Sequence, residues 1–140
     1  MIPVVFDASV VVAACGWTSE SYRCLVLVAR RRLRSFLTEE IAQEWQITLR
    51  KMAEKGAKFR RSPGPTLAWL IAVSHRVEPM PLGKQHSRDP SDDPCLACAL
   101  AARAQMILSR DPDLLALGKP FGIEVLTPRA LLSRIHDAPP

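Results

Sequence analysis

An α/β fold built on a parallel, helix-covered sheet is predicted by three features of this 140-residue sequence. Short apolar runs alternate with longer segments of helical period, the pattern of strands joined by helical crossovers. Two aspartates, Asp7 and Asp111, fall just past apolar runs, where an open parallel sheet presents its ligand-binding edge. A hydrophobic content of 48% in a chain of this length suffices for one core covered on both sides. The expected organisation is therefore a single domain over residues 1–137 and a short Pro-rich tail over 138–140.

Taken in order, PVVF at 3–6 reads as a buried strand ending at Asp7. SVVVAA at 9–14 suits a short helix, and its three consecutive valines also allow the strand to continue. Residues 20–32 read as a helix with Cys24, Leu25, Val28 and Ala29 as its apolar stripe. SFL at 35–37 is a short strand, after which Thr38 caps a helix running to about Lys55, with Glu39 and Glu40 in its first turn. KGAKFRRSPGP at 55–65 is the strongest breaker and predicts a mobile basic loop. TLAWLIAVSH is helical, and RVEPM at 76–80 reads as an edge strand. Pro94 opens a helix to about Ala104, followed by a strand at 106–109, a short helix in DLLAL, a strand at 123–127 and a final helix at 128–135. No internal repeat or low-complexity tract interrupts this order.

Composition narrows the function. No stretch approaches the roughly 18 apolar residues of a membrane span, and the start lacks the basic region of a signal peptide, so a cytoplasmic protein is expected. Cys15, Cys24, Cys95 and Cys98 sit in apolar surroundings. A second ligand pair for zinc is missing from the sequence, so buried thiols are expected even at the CxxC of Cys95 and Cys98. The net charge of +5 suggests a polyanionic partner. Basic residues concentrate at Arg30–Arg34 and again across Arg50, Lys51, Lys58, Arg60 and Arg61, and the second group is the candidate contact for that polyanion. The three histidines, His75, His86 and His136, compete little with the acids as functional groups.

Against this basic background DPSDDP, beginning at Asp89, places three carboxylates in five residues ahead of an apolar helix. Asp93 before Pro94 is a helix-start signature by itself. That reading leaves Asp89 and Asp92 unexplained, and equally Asp7, since a carboxylate after a buried strand is costly unless compensated. Glu44 lies near the edge of the apolar stripe formed by Ile41, Trp45, Leu49 and Met52, and a surface position suits it equally well. Gathered at one place, Asp7, Glu44, Asp92, Asp93 and Asp111 would repel one another unless a cation intervened. Oxygen ligation without histidine suits Mg2+ or Mn2+. Such an ion activates water and stabilises phosphoryl displacement, which makes a metal-dependent nuclease the leading expectation.

These residues, VVFDASVVVAA, LTEEIAQEWQITLRK, RDPSDDPCLACALAARAQMILSRDPDLLAL and GIEVLTPRALLSRI, resemble the PIN-domain family, most closely its stand-alone bacterial toxins of toxin-antitoxin systems. The resemblance implies a three-layer α/β/α fold with a central parallel sheet. It also implies a Mg2+- or Mn2+-dependent endoribonuclease that is homodimeric and held inactive by a protein antitoxin. It implies Asp7, Glu44, the Asp92 and Asp93 pair and Asp111 as catalytic residues, with Asp7, Asp92, Asp93 and Asp111 on the metal; which of Asp92 and Asp93 ligates directly is left open. Ser9, Asp89 and Ser109 are implied as supporting residues. The sequence departs from the family in reading DAS where many relatives read DTN, and CLACAL where they carry bulky aromatic packing. Phosphotransferases of the haloacid dehalogenase type and response-regulator receivers fit less well, because Ser9 or a lone Asp7 stands where they need a second acid. The alternative expectation is a PIN-fold module that binds RNA or an antitoxin without cutting.

Overall fold

The computed structural model describes residues 1–16, 19–83 and 93–137. The chain runs β1 (Ile2–Phe6), α1 (Ala8–Gly16), α2 (Ser19–Ala29), β2 (Leu33–Leu37), α3 (Glu39–Glu54), α4 (Pro63–Val73) and β3 (His75–Arg76). It continues through α5 (Asp93–Ala102), β4 (Met106–Leu108), α6 (Pro112–Leu115), a 3-10 turn (Pro120–Gly122), β5 (Glu124–Leu126) and α7 (Pro128–Asp137). The five strands of the described residues are all parallel, in the order β3-β2-β1-β4-β5. β1 is central, and Val4, Val5 and Phe6 are fully buried on it, as a strand covered on both faces requires. Helices flank the sheet on both sides in the three-layer α/β/α arrangement, with α5 packed along β2, β1 and β4.

Strand order defines the functional edge. From β1 the chain winds outward to β2 and β3, returns, and winds the other way through β4 and β5, so the direction reverses between β1 and β4. A crevice opens at the carboxyl ends of strands flanking such a reversal. Asp7 and Ser109 are the residues that directly follow β1 and β4.

Several boundaries differ from the sequence-based expectation. α2 ends at Ala29 and α5 at Ala102, short of the predicted 32 and 104, because Arg31 and Arg103 adopt left-handed conformations (φ 59° and 53°) that stop each helix without a glycine. Backbone bonds from Arg32 N to Leu27 O and from Ala104 N to Ala99 O close these ends. α4 starts at Pro63 rather than after Pro65, since a proline in the first turn lacks only an N–H that would have no helical partner. β3 occupies only His75 and Arg76, with one further bond from Val77 N to Leu37 O before Pro79.

The 55–65 segment, expected to be mobile, is pinned. Arg60 N and Arg61 N donate to Gly16 O and Cys15 O, at 3.3 and 3.1 Å. The Arg61 guanidinium donates to Ala14 O at 3.0 Å and lies 3.5 Å from the Tyr22 ring centroid. Arg61 therefore caps the carbonyl end of α1 and stacks on α2. All four cysteines are buried and free. Burial pushes the Cys24 and Cys98 thiols up to about 12, and that of Cys15 upward.

Candidate functional site

Asp7 is the hub of a hydrogen-bond lattice at the β1–β4 reversal. Its side chain is buried, with the residue only 6% exposed. Its N–H extends the ladder to Leu108 O at 2.9 Å, and its carbonyl accepts from Val10 N at 3.0 Å, starting α1. Oδ2 accepts from two hydroxyls, Ser9 Oγ at 2.6 Å and Ser109 Oγ at 2.9 Å. Each hydroxyl in turn accepts a backbone N–H from the turn after β4. Arg110 N donates to Ser9 Oγ at 3.0 Å, and Asp111 N donates to Ser109 Oγ at 2.9 Å. Both strong donors thus fall on one oxygen. Oδ1 faces the Cys95 thiol at 3.9 Å, a weak donor.

The same contacts place Asp111 at this edge and hold the helices that carry Asp93 and Glu44 against Asp7 and β1. Asp111 is reached through Ser109; its Oδ1 accepts from Asp113 N at 3.0 Å and caps α6. Cys95, in the first turn of α5, touches Asp7, and Asp93 begins that helix two residues earlier. Trp45 Nε1 donates to Phe6 O at 2.9 Å, which anchors α3 against the last residue of β1 and places half-buried Glu44, its neighbour in sequence, on the anchored turn. Thr38 starts α3 as expected, its Oγ1 accepting from Ile41 N at 3.2 Å.

Among the described residues, no three His, Cys, Asp or Glu side chains lie close enough together to hold a metal ion. Asp89 and Asp92, like His86, lie outside the described residues. The donor chemistry at Asp7 nevertheless fits a hard divalent cation: a buried carboxylate, one oxygen fixed by two hydroxyls, the other facing a weak donor.

The basic residues are distributed otherwise than expected. Arg30–Arg34 lie at the amino edge of the sheet, where Ile2 N donates to Arg32 O and Ile2 pairs with Leu33. Arg60 and Arg61 are bound to the last turn of α1, about 12 Å along that helix from Asp7 at 1.5 Å per residue. Arg50 and Lys51 lie near the C-terminal end of α3 and Lys58 in the pinned loop, all exposed. A cation joined to this lattice through its backbone N–H is Arg110, which sequence reasoning passed over; the SRD tripeptide, an arginine between two site residues, was its signal. A cavity of about 480 Å³ between α2 and α4, lined by Tyr22, Leu25, Trp69 and their neighbours, is mostly apolar and carries none of the candidate acids.

A family model described as PIN domain matches residues 3–113, which takes in every site residue named above. Among solved structures, PAE2754 from Pyrobaculum aerophilum superposes with a TM-score of 0.64 at 19% identity, over 98% of this chain and 91% of that one. No curated protein matches the chain in sequence.

Proposed function

The chain belongs to the PIN-domain family, whose members are generally nucleases that use divalent metals, and on that premise we propose that it is a Mg2+- or Mn2+-dependent endoribonuclease. The observation that carries the proposal is the doubly locked carboxylate of Asp7 at the β1–β4 reversal. In this reading Asp7, Asp111 and the Asp92 and Asp93 pair hold the metal, and Glu44 works beside them. The metal would supply Lewis-acid stabilisation of the phosphate and activation of a water. The residues of the chain supply orientation. Ser9 and Ser109 hold Asp7 so that Oδ1 is the oxygen presented, and the turn after β4 ties Asp111 to the same lattice. The finer assignment, toxin of a toxin-antitoxin pair acting as a homodimer, belongs to this proposal too.

The test is calorimetric titration of Mn2+ into the wild-type protein and Asp7→Asn, with RNA cleavage run on the same samples. Binding and cleavage are expected to disappear together while the melting temperature changes little. Undiminished cleavage by Asp7→Asn would remove Asp7 from the mechanism. A second reading is a PIN-fold module that binds RNA or an antitoxin without cutting. Wild-type protein that takes up no Mn2+ and cuts no RNA would select it.

A further inference from the structure

On the carboxyl edge of the sheet, a cleft of about 300 Å³ is lined by Glu20, Ser21, Arg110, Thr127, Pro128 and Arg129. We propose that this cleft is a subsite for a backbone phosphate of single-stranded RNA, lying alongside the phosphate attacked at Asp7. The proposal rests on the nuclease reading above and adds to it the residues that hold the strand.

Three observations carry it. First, the cleft is joined to the acids through a single hydroxyl: Arg110 N donates to Ser9 Oγ at 3.0 Å, and Ser9 Oγ donates to Asp7 Oδ2 at 2.6 Å. Second, the lining is cationic. Arg110 and Arg129 are both exposed, and their two guanidiniums outnumber the one carboxylate, Glu20. A guanidinium fork matches two phosphate oxygens. Third, Thr127 Oγ1 accepts from Ala130 N at 3.1 Å at the start of the ten-residue α7. The positive end of that helix dipole therefore opens onto the cleft, with Arg129 in its first turn. The two sequence-apparent basic clusters have no comparable place, one lying at the amino edge and the other divided between the C-terminal end of α3 and the loop bound to the last turn of α1.

The experiment measures binding without cleavage. A labelled single-stranded oligoribonucleotide is titrated in EDTA against Asp7→Asn protein carrying either Arg110→Gln with Arg129→Gln, or the charge-matched control Arg30→Gln with Arg32→Gln. The cleft pair is expected to lower affinity about tenfold and to flatten the slope of log K against log salt by about 0.7, the value for one phosphate contact on a single strand. The control should change both far less. Arg110→Lys with Arg129→Lys should recover most of the slope, which also shows that the cleft tolerates substitution. Equal losses in the cleft and control variants would overturn the subsite. Because this readout needs neither metal nor turnover, a failure of the subsite and a failure of the nuclease reading are seen separately.

Discussion

The two oxygens of one carboxylate set the residue-scale behaviour of the site. Ser109 is fully buried, and its hydroxyl joins Asp7 Oδ2 to Asp111 N. Removing that hydroxyl leaves a buried acceptor and a donor without their partner, so Ser109→Ala is expected to cost about 1–3 kcal/mol in urea unfolding. Ser9 is only partly buried, and water can replace part of its role, so Ser9→Ala should cost about 0.5–1.5 kcal/mol. Equal costs would mean that burial does not distinguish them. The thiols allow a simpler test. With Cys24 and Cys98 buried and raised to about 12, they should resist a thiol reagent at pH 8 in the native protein, and all four cysteines should react in denaturant. Asp7 and Asp111 were legible in the sequence because Asp7 directly follows one apolar run and Asp111 lies shortly past another. Arg110 was not, because its relation to Asp7 exists only once residues 102 apart in sequence, Asp7 and Ser109, have met.

At the scale of elements, alternating periodicity located the strands and α-helices of the described residues, though it left α1 open to a continued strand and missed the 3-10 turn at Pro120–Gly122, and most other errors fell at the ends. The stops of α2 and α5 were invisible because arginines, not glycines, take the left-handed position. That conformation costs a side-chain-bearing residue roughly 1–2 kcal/mol, and glycine returns part of the gain as chain entropy. Arg103→Gly is therefore expected to stabilise by roughly 0.5 kcal/mol, seen as a higher melting temperature; an unchanged or lower value would contradict this account. The start of α3 was legible because its cap is local: Thr38 bonds a residue three positions away. Thr38→Ala should cost about 1 kcal/mol. The anchoring of the 55–65 segment was illegible for the opposite reason. Its partners, Ala14, Cys15 and Gly16, lie over forty residues earlier, and a basic run looks alike whether it is solvated or bonded.

For the molecule as a whole, the parallel sheet was predictable, since only crossover connections fit the alternation, whereas the strand order emerged only from the fold. The far edge is tied by Arg134 of α7, which donates to both Glu124 oxygens at 2.8 and 2.9 Å. The hydrogen bonds and charge of Arg134 hold the Glu124 carboxyl below its usual range. Its contribution is thus present above the usual glutamate value, about 4.3, and is lost as pH falls through the lowered folded value. Being exposed, the pair is screened by salt, and Glu124→Gln should make acid unfolding slightly less steep only at low ionic strength. The central position of β1 has a further consequence, in time. β1 is made well before β4, one of its two neighbours in the sheet. At about 5–20 residues per second, the 102 residues from Asp7 to Ser109 take on the order of 5–20 s to synthesise. Chains ending at Leu108 are expected to bind no Mn2+ and cut no RNA. The lattice around Asp7 can close only once Ser109 has been made, so on the proposed nuclease reading the segment from β1 to β4 is inert until then.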